Sequence, residues 1–289
     1  MSEVRSIAAA VRARLRGLAL ADDPRLDWLP DRPDAAEAHL RQDGSCDLVV
    51  GYNGTRFPEL DVFVERCAAH AAERGHADHR AAWDRWLAAT GTGVLDAGAQ
   101  LGADRGRLQV YLRGHYDPAA VGRAFAAVGC DASSRLVANA LALFAVQTAE
   151  MIGLELDDER VGAAIYLAIP NHGGEHAGAI AEAFGFLLSA IRPPGRARDR
   201  WREVAAELLA TAREEHVYVS FDPTPALGWA KLDVGERPLA LAGVVARRLG
   251  LAADAMLEAA TARELTTLSH IGLRFAGESP ALSIYSSLI

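Results

Sequence analysis

Lysine is nearly missing from this chain: Lys231 is the only one, and every other basic side chain is arginine. Positive charge is not in surplus either, since 30 basic residues stand against 38 acidic ones for a net charge of −8. That balance leaves no excess cation to release counterions from nucleic acid or to hold an anionic membrane, which argues against a general nucleic-acid binder. Cysteine is equally sparse. Cys46, Cys67 and Cys130 are odd in number and form no CxxC pair, so neither a disulfide framework nor a thiolate zinc site is expected, and reduced, cytoplasmic thiols are. Long apolar runs are also missing. The most hydrophobic stretch, Leu136 to Leu154, is interrupted by Asn139, Gln147, Thr148 and Glu150, side chains that are costly in lipid. The N-terminal stretch carries Arg5, Arg12, Arg14 and Arg16 without the apolar core of a signal peptide. The expectation is a soluble monomer with no membrane contact.

What the chain does have is apolar content: 51% of its 289 residues are hydrophobic, enough to bury one large core. Short alternating runs come in pairs joined by Gly, Pro, Asn or Asp, the signal of β-hairpins. Five such pairs are predicted: Cys46 to Gly51 with Leu60 to Glu65 through Asn53-Gly54, Val94 to Leu101 with Leu108 to Arg113, Ile152 to Leu156 with Ala163 to Ile169, His216 to Phe221 with Leu227 to Val234, and Leu268 to Phe275 with Ala281 to Ser286. Between the hairpins the period changes to that of helices. Asp117-Pro118 is an N-cap followed by proline and opens a helix to Val128, with a second from Asp131 through Glu150. Helix pairs follow at Glu175 to Ile191 and Asp199 to Glu214, then at Pro238 to Leu249 and Ala253 to Glu264. This reads as an α+β fold, a ten-stranded antiparallel barrel of five αββα repeats in one domain, with residues 1–43 a helical segment and 44–289 the barrel.

Strand alternation assigns the faces. Val110 and Leu112 share one face of their strand while Tyr111, Arg113 and His115 share the other. If the apolar face meets the helices, the polar face lines a chamber. By this parity the lumen collects Asp61, Asp96, Gln100, Tyr111, Arg113, His115, Glu155, Tyr166, His216, Tyr218, Trp229, Lys231, Asp233, His270, Arg274 and Tyr285. Guanidinium forks, an ammonium and phenols suit a diphosphate, and the tyrosines with Trp229 could stabilise an allylic cation by their π faces. An inward acid could take the nucleophile's proton. The alternative is that these groups only fill a barrel as buried ion pairs, such as Asp61 with Arg113, at a desolvation cost that hydrophobes would avoid.

Several stretches resemble the aromatic prenyltransferase (ABBA) superfamily, and within it the cyanobactin peptide prenyltransferases. Val94-Leu95-Asp96-Ala97-Gly98-Ala99-Gln100-Leu101 is similar to that family's V-L-S-A-G-x-D-L, Leu108 to His115 to its L-K-x-H-I-R-x-K, and Met151 to Leu156 with Ile165-Tyr166 to its L-I-G-F-D-F and I-Y. Glu59-Leu60-Asp61-Val62 also resembles the E-L-D-F strand of the small bacterial phenol and naphthalene prenyltransferases. The resemblance implies transfer of a dimethylallyl or geranyl group from its diphosphate to a peptide side chain, with magnesium accompanying the donor. It places Arg113 and His115 at diphosphate-binding cations, Tyr166 in the diphosphate shield and Glu155 at an inward acid. Together with the lumen parity, this makes Glu155, Asp61 and Asp96 the candidate proton acceptors. Arg113, His115, Lys231, Arg274, Tyr111, Tyr166, Tyr218, Trp229 and Tyr285 become the donor-binding set. Two departures stand out: Val49 where the cyanobactin enzymes carry an acid, and His115 in place of a lysine. Both point to an acceptor other than tyrosine, such as a nitrogen nucleophile. A small-molecule aromatic acceptor, a phenol or an indole, is the nearest alternative, and a zinc peptidase or a binding barrel without chemistry is a more distant one.

Other signals carry less. His172-Gly173-Gly174-Glu175-His176 matches the H-x-x-E-H of zinc peptidases, but its glycines predict a loop entering a helix. His70, His76 and His79 lack i, i+4 spacing, and Gly91-Thr92-Gly93 precedes a strand instead of opening a helix.

Overall fold

A computed structural model describes residues 35–53, 65, 69, 79–90, 96–102, 108–156, 161–191, 195–212, 214–265, 267–276 and 279–288. Ten strands form a closed antiparallel barrel: β1 (Ala35–Arg41), β2 (Cys46–Asn53), β3 (Asp96–Leu101), β4 (Leu108–Tyr116), β5 (Ala149–Leu156), β6 (Val161–Pro170), β7 (His216–Phe221), β8 (Trp229–Pro238), β9 (Thr267–Ala276) and β10 (Ser279–Ser287). Each strand pairs with its chain neighbours, and β1 closes the ring on β10 from Glu37 opposite Ser287 to Arg41 opposite Ser283. The short hairpin turns therefore all lie at one end of the barrel. The longer connections, which carry the helices, leave from the other.

Seven α-helices lie among the described residues: α1 (His79–Thr90), α2 (Pro118–Ala126), α3 (Ser134–Leu143), α4 (Ala177–Ile191), α5 (Gly195–Ala210), α6 (Leu239–Leu249) and α7 (Asp254–Ala262). The predicted N-cap is present, Asp117 accepting from the Ala120 amide at 2.6 Å. The main core lies between barrel and helices. On β4, Leu108, Val110 and Leu112 are buried, and on β9 Phe275 packs against Trp201 of α5 with ring centroids 3.8 Å apart. No helix among the described residues is long and apolar enough to cross a membrane.

Three expectations need correction. Residues 35–41, assigned from sequence to an N-terminal helical segment, form β1, and the first hairpin turns at Asp43-Gly44 instead of Asn53-Gly54. Asp43 Oδ1 accepts from the Ser45 amide at 2.9 Å, and Gly44 takes φ +81, where a side chain would be strained. β2 is bonded to β1 and β3. Glu65 is helical, and 60–64, with Asp61, lie outside the described residues. The helix expected through Glu150 stops at Leu143, and β5 begins at Ala149.

Candidate functional site in the barrel lumen

The lumen is a cavity of about 790 Å³. Of the residues assigned inward by alternation, Asp96, Gln100, Tyr111, Arg113, Glu155, Tyr166, Tyr218, Trp229, Lys231, Asp233, His270, Arg274 and Tyr285 line it. His115 and His216 do not: both are exposed near the helix-linked end, His115 inside a register irregularity between Arg113 and Tyr116. Cross-strand register brings Lys231 of β8 opposite Arg274 of β9 and Ser220 of β7 opposite Lys231. The lone lysine is thus inside, with its side chain 12% exposed.

Lys231 Nζ lies 2.7 Å from Asp233 Oδ1, donates to the Tyr285 hydroxyl and sits 4.4 Å from the centre of that ring. Gly272 makes room for this pair. A Cβ there would lie 2.5 Å from Lys231 Cε and 2.6 Å from Asp233 Oδ1, closer than atoms tolerate. Arg274 stacks over the Trp229 ring at 4.8 Å, a cation–π contact near the hairpin end.

Arg113 lies near the helix-linked end of β4, four strands around the ring from Lys231 and in the same cross-strand row through Met151, Tyr166 and Ser220. Its guanidinium is 2.5 Å from Glu150 and 3.4 Å from Asp96, and its side chain is 47% exposed. Burial opposes its charge, but Glu150, Tyr218 and Asp96 outweigh that and raise its pKa. Burial, reinforced by Glu150, raises the Tyr218 phenol. Arg113, Lys231 and Arg274 thus all line the one cavity, Arg113 from the far side of the ring.

Sequence reading missed a buried network because it missed β1. His39 faces Asp47 across the β1–β2 ladder and stacks on Tyr285, ring centroids 4.2 Å apart and planes 6° from parallel. Asp47 Oδ2 accepts from Arg41 at 2.5 Å and from Gln100 Nε2 at 2.7 Å. Burial disfavours its charge, yet the hydrogen bonds donated by Arg41 and Gln100 hold it well below the usual carboxylate range. Burial lowers the His39 pKa to about 4, so its ring is neutral. Tyr111 donates to Gln100 Oε1 at 2.8 Å, and Gln109 donates to the Tyr166 hydroxyl at 2.9 Å. Burial pushes the pKa of Tyr166 up. Strand alternation at Ala36, Ala38 and Leu40 around Glu37, His39 and Arg41 was the available signal, masked by alanine's weak preference for strands.

His172 and His176 stand on the short turn His172–Gly174 and just after it, ring centroids 6.3 Å apart, and no group of three His, Cys, Asp or Glu side chains able to hold a metal gathers among the described residues. No known family profile matches the chain, and no curated protein matches it in sequence.

Proposed function

We propose that this barrel transfers a prenyl group from an allylic diphosphate to a side chain of a peptide. The observation that carries the reading is the lumen itself: a cavity of about 790 Å³ in which two cross-strand cations, Lys231 and Arg274, stand beside Tyr111, Tyr166, Tyr218, Tyr285 and Trp229. The αββα repeat, the ABBA resemblance of the Val94 to Ile169 stretch, the peptide acceptor and the cytoplasmic, monomeric state are parts of the same proposal.

In this reading Lys231 and Arg274 anchor the diphosphate by charge-assisted hydrogen bonds, with Arg113 at the helix-linked end in a lesser share because Glu150 and Asp96 already hold it. The allylic carbon–oxygen bond breaks, inorganic diphosphate leaves, and the aromatic walls exclude water from the cation. The acceptor's lone pair forms the new bond and its proton passes to a carboxylate, Glu155 or Asp96. Magnesium fits this lumen as a partner of diphosphate oxygens and water, which is how it binds where protein supplies few ligands. Five acids, Glu37, Asp43, Asp96, Glu155 and Asp233, line the cavity against four fixed bases, Arg41, Arg113, Lys231 and Arg274. That balance favours a basic nitrogen acceptor over a phenol. Incubation of a peptide panel, free phenols and indoles with dimethylallyl and geranyl diphosphates, read by mass spectrometry, tests the reading. The supporting result is a peptide heavier by one prenyl unit. No prenylated product from any acceptor would refute it.

A further inference from the structure

Among the buried hydrogen-bonding atoms of the lumen wall, Ser220 Oγ and His39 Nε2 have no partner among the described residues. Ser220 is 0% exposed, faces inward between Val219 and Phe221, and stands in register between Tyr166 and Lys231. His39 is 6% exposed, lines the same cavity, and stacks on the Tyr285 ring whose hydroxyl receives Lys231.

The neighbours locate the His39 proton. An ionised Asp47 only accepts, so the Gln100 atom 2.7 Å from it is the amide nitrogen. That nitrogen is also 2.8 Å from His39 Nδ1 and has a second hydrogen to give. Nδ1 also lies 3.3 Å from Asp47 Oδ2, but the shorter approach of the Gln100 nitrogen assigns Nδ1 as an acceptor and so assigns the proton of the neutral ring to Nε2. Nε2–H is a buried donor with nothing to donate to. Leaving such groups unmatched costs folding free energy, and alanine at 220 would avoid the cost. The cost is explicable where another molecule brings the acceptor.

We propose that Ser220 and His39 donate hydrogen bonds to oxygens of the bound diphosphate, completing with Lys231 and Arg274 a site of two charged and two neutral donors. The inference rests on the prenyl-diphosphate reading and extends it to two residues that no motif marks. The neutral donors add hydrogen bonds without adding charge, so Lys231 and Arg274 supply the attraction while Ser220 and His39 fix where the oxygens sit.

Calorimetry with inorganic diphosphate and magnesium chloride tests this, alongside thermal unfolding of the same samples. Ser220→Ala should weaken binding about tenfold, with Tm unchanged or higher, because the hydroxyl bonds nothing in the free protein. His39→Phe keeps a flat ring against Tyr285 but loses Nε2–H, and should weaken binding similarly. Wild-type binding together with unchanged affinity in both variants would overturn the inference and leave the diphosphate reading standing. Failure of the wild type itself to bind would overturn both.

Discussion

Lys231 and Asp233 stand two residues apart on β8, on the same inward face, as an ion pair 2.7 Å long that crosses the space left by Gly272. Asp233 is 7% exposed, so the ammonium both neutralises a buried carboxylate and faces the cavity. These two duties predict different losses.

Lys231→Met keeps the stem but strands the Asp233 charge, and removing one partner of a buried pair costs about 3–5 kcal/mol. The double variant Lys231→Met/Asp233→Asn restores neutrality and should regain most of that stability. It should not regain affinity for inorganic diphosphate. Tm and calorimetry on both variants check this, and a double variant that binds like wild type would remove Lys231 from the site.

The barrel was legible where strands alternate cleanly and pair with a chain neighbour. His216–Phe221 forms β7 with the ends read from sequence, and the parity that turned Tyr111, Arg113, Lys231 and Arg274 inward holds. β1 was not legible because an alanine-rich segment became a strand by pairing with β10 at the far end of the chain, a contact local preference cannot show. The His39 network was lost with it. Glu150 was lost for another reason: a helix expected to run through it ends early, which frees it to reach Arg113.

Arg113→Ala should weaken diphosphate binding less than the Lys231→Met/Asp233→Asn variant does, because the arginine is exposed and already held by Glu150 and Asp96. A loss of about threefold to tenfold is expected, at the lower end for one charge-assisted contact. Parallel titrations of the two proteins decide the order, and a larger loss for Arg113→Ala would place the diphosphate at the helix-linked end.

His39 gives a pH signature independent of any substrate. Its folded pKa is lowered to about 4 from an ordinary 6.5. Above pH 6.5 it is neutral in folded and unfolded states and contributes no slope. As pH falls from 6.5 to 4 the unfolded chain takes the proton first, so stability declines across that window and levels below it, by up to about 3 kcal/mol in total. Asp47, depressed in the folded state, adds its own loss only below about pH 4. Urea unfolding from pH 7 to 4 should therefore be flatter in His39→Phe than in wild type. Equal slopes would show that His39 does not stay neutral in the fold.

Glu155 has an inward position, and it lines the cavity toward the hairpin end, where Lys231 and Arg274 also lie. If it accepts the acceptor's proton, Glu155→Gln removes the base while keeping shape and hydrogen-bonding capacity. Turnover should then drop by about 10²- to 10⁴-fold, the range for a lost general base, with diphosphate affinity close to wild type. If Glu155 serves the wall instead, the same change should lower Tm and leave the rate of folded protein near normal. Asp233 competes for the role from the same face as Lys231, but it is already engaged with the ammonium at 2.7 Å, and giving it a proton would break that ion pair. Turnover, Tm and affinity measured on one preparation of Glu155→Gln therefore discriminate between base and wall, and unchanged turnover would transfer the role to Asp96, which lines the same cavity.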